Sequence, residues 1–134
     1  MKIQELMTTK IESVNSDKTV YDAIEKMVDR RIRALMVRFP EEKLNHGIIT
    51  ARDIVFKVLA KSLNPKDILV SEIASKPAVC IDKNMDLNEA ASIMEKKNIA
   101  RIFVCDSEQI IGVIALIDIM TGALIMMARG DHDS

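Results

Sequence analysis

Aromatic side chains are nearly missing from this sequence: no tryptophan, Tyr21, and the three phenylalanines Phe39, Phe56 and Phe103. Readers of single-stranded nucleic acid stack bases on clusters of exposed rings, and this chain lacks the rings for that mode. Charge of one sign is missing too. Lys and Arg number 19 against 20 Asp and Glu, a formal net charge of −1, which removes bulk attraction to nucleic acid or to an anionic membrane. Any anion bound here must be held locally. Charged residues interrupt every apolar stretch before it reaches the length of a membrane span, and no basic N-terminal cluster leads into an apolar run. The expected location is the cytoplasm.

Cysteine and histidine are scarce as well. Cys80 and Cys105 form no Cys-x-x-Cys and have no His at a metal-ligand spacing, which argues against a zinc site and a disulfide framework. Both are expected as reduced, buried strand residues. His46 and His132 have no nucleophile or ligand set around them, and Ser-His-Asp, Walker and zinc signatures are absent. No catalytic residue, metal or catalytic cofactor is expected, so the chain is read as a binding module and not an enzyme. The nine methionines fall on helical faces and read as core and interface filler.

What is present is a repeat. Apolar residues make up 49% of the chain and charged residues 29%, an ordinary globular balance, and the periodicity gives one order of elements twice. In the first pass, an extended run at 11–14 leads to a helix with Val20, Ala23, Ile24, Met27 and Val28 on one face, opened by a Thr19–Asp22 capping box. Strands at 34–39 and 47–50 follow, separated by a polar loop at 40–45, then a helix carrying Ile54, Val55, Val58 and Leu59, with Asn64-Pro65 as a stop. The second pass has a strand at 78–81, a helix with Leu87, Ala90, Ala91 and Met94, strands at 101–105 and 110–114, and a helix over 116–129. A shift of 67 pairs Glu5 with Glu72, Ala23 with Ala90, Met27 with Met94, Ile32 with Ile99 and Val37 with Val104. After a two-residue deletion, Gly47 meets Gly112, Ile49 meets Ile114, Asp53 meets Asp118, Ile54 meets Ile119 and Leu59 meets Leu124. The fold class is therefore α/β (α+β), two β-α-β-β-α repeats at 1–66 and 67–129 related by a pseudo-two-fold axis, with a disordered tail at 130–134.

The most informative segment is Gly47-Ile-Ile-Thr50-Ala-Arg-Asp53, which passes from strand to helix. Thr50 stands where its hydroxyl can cap the helix or bind an anion, and Asp53 follows by about one turn, where a carboxylate can accept two hydrogen bonds from a vicinal diol. An acidic first turn that favours the helix dipole is the plainer account of the same residues. The segment recurs in part as Gly112-Val-Ile-Ala115-Leu-Ile-Asp118, where Asp118 breaks an apolar run. Arg30, Arg31 and Arg33 cluster at a helix end, where cations complement the dipole.

These two halves resemble tandem cystathionine-β-synthase-type (CBS) domains, a Bateman module, over residues 3–127. The resemblance implies clefts between the repeats that bind adenosine-containing ligands such as AMP, ADP, ATP or S-adenosylmethionine. By that resemblance Asp53 grips the ribose hydroxyls, Thr50 contacts ribose or phosphate, the purine lies against the Ile11 and Glu12 backbone with Ile32 as a wall, and Arg101 supplies a phosphate contact. The second cleft departs from the pattern, because Ala115 replaces the hydroxyl residue and Ala34 stands where Arg101 does, leaving Arg33 one position off; Asp118, Arg33 and the Ala78-Val79 backbone remain. That cleft is expected to be weaker, different in ligand or empty. The resemblance implies a regulatory, energy-sensing homodimer that reports its adenosyl ligand to another protein. The apolar 116–129 segment points the same way, because one face of burial cannot cover it. An oligomerisation module with vestigial pockets is the alternative, and an enzyme acting on nucleotides is a third reading that no general base or metal cluster supports.

Overall fold

A computed structural model describes residues 1–41 and 46–130; part of the expected 40–45 loop, most of the expected tail and His132 lie outside the described residues. The chain divides into two compact units, Glu12–Ala78, here the first unit, and Met1–Ile11 together with the chain from Val79 onward, the second.

In the first unit, β1 (Ser13–Asn15) runs parallel to β2 (Ala34–Arg38), which pairs antiparallel with β3 (His46–Thr50). Parallel neighbours need a crossover, and α1 (Val20–Arg30) supplies it. Its start is fixed by the expected capping box: the Asp22 N–H donates to Thr19 Oγ1 at 3.2 Å and the Thr19 N–H donates to the Asp22 carboxylate at 3.1 Å. It ends on Arg31 in the left-handed conformation, φ 55°. Val20, Ala23 and Met27 pack against Leu35, Val37 and Ile49 of the sheet, each buried large aliphatic contributing about 1.5–3 kcal/mol. Val28, expected on this face, is 70% exposed. The helix α2 (Ala51–Lys57) follows β3 directly and buries Ile54 on the same core.

The second unit repeats the plan. β4 (Cys80–Asp82) is parallel to β5 (Arg101–Asp106), which pairs antiparallel with β6 (Gln109–Ala115); α4 (Leu87–Lys97) makes the crossover and α5 (Leu116–Ala128) follows β6. Equivalent details recur: Asn98 ends α4 at φ 51° where Arg31 ends α1, and Ser13↔Met36 in one sheet matches Cys80↔Phe103 in the other.

The spatial units differ from the sequence division at 66/67, because the segment ahead of each repeat packs on the other repeat's sheet. In the first unit Ser75 exchanges two main-chain hydrogen bonds of 2.9 Å with Ile48; in the second, Thr8 exchanges two of 3.0 Å with Val113. The short connector read from the sequence holds a turn of helix, α3 (Val70–Ile73), whose Glu72 accepts from the Leu69 N–H as Glu5 accepts from the Lys2 N–H. The crossing segments also explain the repeated glycine: a Cβ on Gly47 would stand 2.8 Å from the Ser75 carbonyl oxygen, and one on Gly112 would stand 3.0 Å from the Thr8 carbonyl oxygen.

One expectation is corrected. Cys80 and Cys105 are not reduced core thiols: they are half-buried and joined as a disulfide, Cα–Cα 5.9 Å, because parallel pairing of β4 with β5 sets side by side two residues 25 apart in sequence. Sequence spacing alone does not reveal strand adjacency.

Gly47→Ala forces a methyl group against main-chain atoms that cannot rotate away, so the unfolding free energy should fall by about 1–3 kcal/mol in urea titration; an unchanged midpoint would contradict the close crossing.

Candidate functional site

The β3–α2 junction of the first unit gathers the polar groups singled out in the sequence. Thr50 ends β3 and caps α2, with extended backbone at φ −116°. Its hydroxyl accepts from the Asp53 N–H at 3.1 Å and donates to Asp53 Oδ2 at 2.9 Å, while its own N–H donates to the same oxygen at 2.9 Å. Two of these bonds reach the carboxylate and fix its position and direction, and the third closes the cap through the Asp53 main chain. The other oxygen, Oδ1, meets Lys57 Nζ at 3.2 Å, and that ammonium also donates to the Ile73 carbonyl at 3.1 Å. The Asp53 side chain is 18% exposed and Lys57 46% exposed, so one oxygen is committed to the cap while the other faces a partner that water can replace. The plainer account of Thr50 and Asp53, a helix cap, is thus part of the structure, and it also orients the acceptor.

Other first-unit residues close in from β2. Ala34 is paired in register with Thr50, and the carbonyl of Arg33 accepts the Ala51 N–H at 2.9 Å, so Arg33 and Ile32 adjoin the same corner, Arg33 exposed and Ile32 half-buried against the core. Glu12 is half-buried; its carbonyl accepts the Met36 N–H at 3.0 Å and its carboxylate pairs with Arg30 at 3.4 Å and Lys26 at 3.9 Å. Arg30 therefore has a partner other than the helix dipole. Ile11 lies at the last position of the N-terminal segment, which belongs to the second unit.

The second unit builds the same corner with fewer groups. The Ala115 N–H donates to Asp118 Oδ2 at 2.7 Å, but Ala115 has no hydroxyl to accept from the first turn of α5 in return. Arg101, half-buried, opens β5 in register with Ala115. Asp53 and Arg101 thus belong to different units, and Asp118 shares its unit with Arg101. Lys57 was missed as a site residue, although its place four residues after Asp53 on a helix is a readable ion-pair signal.

The CBS domain family model matches residues 3–60 and 70–124. Hypoxic response protein 1 of Mycobacterium tuberculosis is 28% identical over 116 residues, 87% of this chain and 80% of that protein. An uncharacterized protein of Methanopyrus kandleri is 37% identical over 75 residues, 55% of this chain and only 38% of that protein's length. The hexameric CBS-CP12 protein from bloom-forming cyanobacteria superposes with a TM-score of 0.88 at 30% identity, covering 95% of this chain and 74% of that one.

Thr50→Ala leaves the corner as Ala115 leaves its own, and should cost about 0.5–2 kcal/mol of stability by chemical denaturation. Ala115→Thr should shift stability the opposite way. Loss of stability in both variants would show that the two corners are not equivalent caps.

Proposed function

This chain belongs to the CBS domain family, a family of regulatory and interaction modules, and from that premise we propose that it binds an adenosine-containing ligand and passes the bound state to a partner protein. AMP, ADP, ATP and S-adenosylmethionine share the adenosyl group the site would read. The observation that carries this reading is the Asp53 carboxylate: Thr50 holds one oxygen with two hydrogen bonds, and the half-exposed Lys57 attends the other. A vicinal diol replaces such a surface ion pair at little cost, since exposed pairs contribute only about 0–1 kcal/mol. Ile32 offers the adjoining apolar wall. Arg101 and Asp118 lie on the other unit, and only the family resemblance assigns them and the Ile11 backbone to ligand binding. The module acts without catalysis and in the cytoplasm. Its energy source is preference: a ligand shifts a conformation only by binding one form better than another.

We also propose that the working form is a homodimer. Leu116, Ile117, Met120, Leu124 and Met127 of α5 are 50%, 62%, 63%, 71% and 63% exposed, and Val55, Phe56 and Leu59 around α2 are exposed as well. Water-facing apolar surface of this extent marks an interaction face. The same surface would serve an oligomerisation module whose pockets bind nothing, and ligand titration separates the two readings.

In thermal-shift titration with ATP, AMP and S-adenosylmethionine, Asp53→Ala should weaken the tighter binding event by about ten- to a hundredfold, the loss of one charge-assisted contact, and Asp118→Ala should leave it nearly unchanged. Equal losses would refute the asymmetry of the two corners. Sedimentation equilibrium should return twice the 15.0 kDa chain mass at micromolar concentration, and a monomer would refute the dimer.

A further inference from the structure

A second polar site lies at the opposite end of the first sheet. Thr50 and Asp53 stand where β2 begins, at Ala34; a cleft of about 480 Å³ opens where β1 and β2 finish, some 13 Å along the strand, lined by Ser13, Val14, Asn15, Lys18, Asp22, Lys26 and Arg38. The carboxyl ends of parallel strands joined through a helix are where α/β sheets place ligands. Three cations and one carboxylate line this cleft, and the carboxylate, Asp22, is already engaged by the Thr19 N–H and hydroxyl at 3.1 and 3.0 Å. Lys26 donates to the Ser13 carbonyl and stands 3.9 Å from Glu12. Among the described residues, no carboxylate pairs with the side chains of Lys18 or Arg38.

The internal repeat supplies the control. With the shift of 67, Lys18 corresponds to Met85, Lys26 to Ile93, Arg38 to Cys105 and Ser13 to Cys80, whereas Asp22 keeps its charge as Glu89. Met85 and Ile93 pack on the second unit's core, and Cys80 and Cys105 are joined to each other. The same place in the fold is thus filled and cross-linked in one unit, and open with three cations in the other. The β-α-β frame needs none of the three charges, because the second unit has the frame without them. Gathering like charges around one cleft is unfavourable unless an anion offsets it.

We propose that this cleft binds a small phosphate-bearing anion, with Lys18, Lys26 and Arg38 as its charged contacts and Ser13 and Asn15 as its neutral ones. The site is separate from the adenosyl corner and stands whether or not that corner binds a nucleoside. The test is calorimetric titration of the full chain with inorganic pyrophosphate at low ionic strength, alongside the ¹⁵N amide spectrum. Pyrophosphate should bind, shift the amides of Ser13–Lys18 and Arg38 while leaving those of Cys80–Met85 in place, and bind about tenfold or more weakly to Lys18→Gln/Arg38→Gln. Both substituted residues are exposed, so the variant should keep the wild-type melting temperature, and Asp53→Ala should bind pyrophosphate as the wild type does. The proposal fails if pyrophosphate does not bind, if the double variant binds it equally, or if Asp53→Ala abolishes the binding. Shifts centred on Thr50–Asp53 in the wild-type spectrum would overturn it even if the double variant failed to fold.

Discussion

Everything in this fold depends on a main-chain exchange that the sequence makes twice. A β-α-β-β-α repeat of about sixty residues buries too little surface to be secure alone. Each sheet here is completed by the segment that precedes the other repeat: Ser75 on Ile48, and Thr8 on Val113. The hydrogen bonds require the crossing backbone to lie close to β3 and β6, and this closeness requires Gly47 and Gly112. Those glycines open the very segments that end in Asp53 and Asp118. The crossing thus sets the strand whose last residue caps the next helix, and the cap sets the direction of the carboxylate.

On that shared frame the two halves present different side chains at two places. At the strand–helix corner one hydroxyl distinguishes Thr50 from Ala115, and with it go one of the two bonds to the carboxylate and the bond from the helix N–H. At the far end of the sheets, three cations in one unit stand against a methionine, an isoleucine and a disulfide in the other. The duplicated frame thus presents different groups in the two units at both places, a hydroxyl cap in one and an alanine in the other, cations in one and apolar or cross-linked side chains in the other.

The sequence made much of this legible. Strand and helix order, the Thr19 cap, the core face of α1 and the Thr50–Asp53 pairing all follow from local rules: periodicity, capping chemistry and the reach of a side chain over one turn. What it hid was long-range. The Cys80–Cys105 link follows from two parallel strands lying side by side, which periodicity cannot report, and the exchange of leading segments made a connector out of what is a turn of helix with its own cap. Val28 and Leu59 sit at the right spacing for the core and remain exposed, because a helical stripe gives an angle and not the width of the partner surface. The cleft of Lys18, Lys26 and Arg38 was out of reach for the same reason: its cations come from a turn, a helix and a strand end, and only the register of β1 on β2 joins them.

The central claim is that a nucleoside diol is read at Thr50 and Asp53. The most direct measurement is residue-resolved: titrate adenosine monophosphate into ¹⁵N-labelled protein and follow the main-chain amides of both corners. The Thr50 and Asp53 amides, which lie within the hydrogen-bonded cap that holds the carboxylate, should move first and at the lowest ligand concentration, ahead of Ala115 and Asp118. Saturable shifts confined to Ala115 and Asp118, or a spectrum that stays still at millimolar ligand, would contradict it.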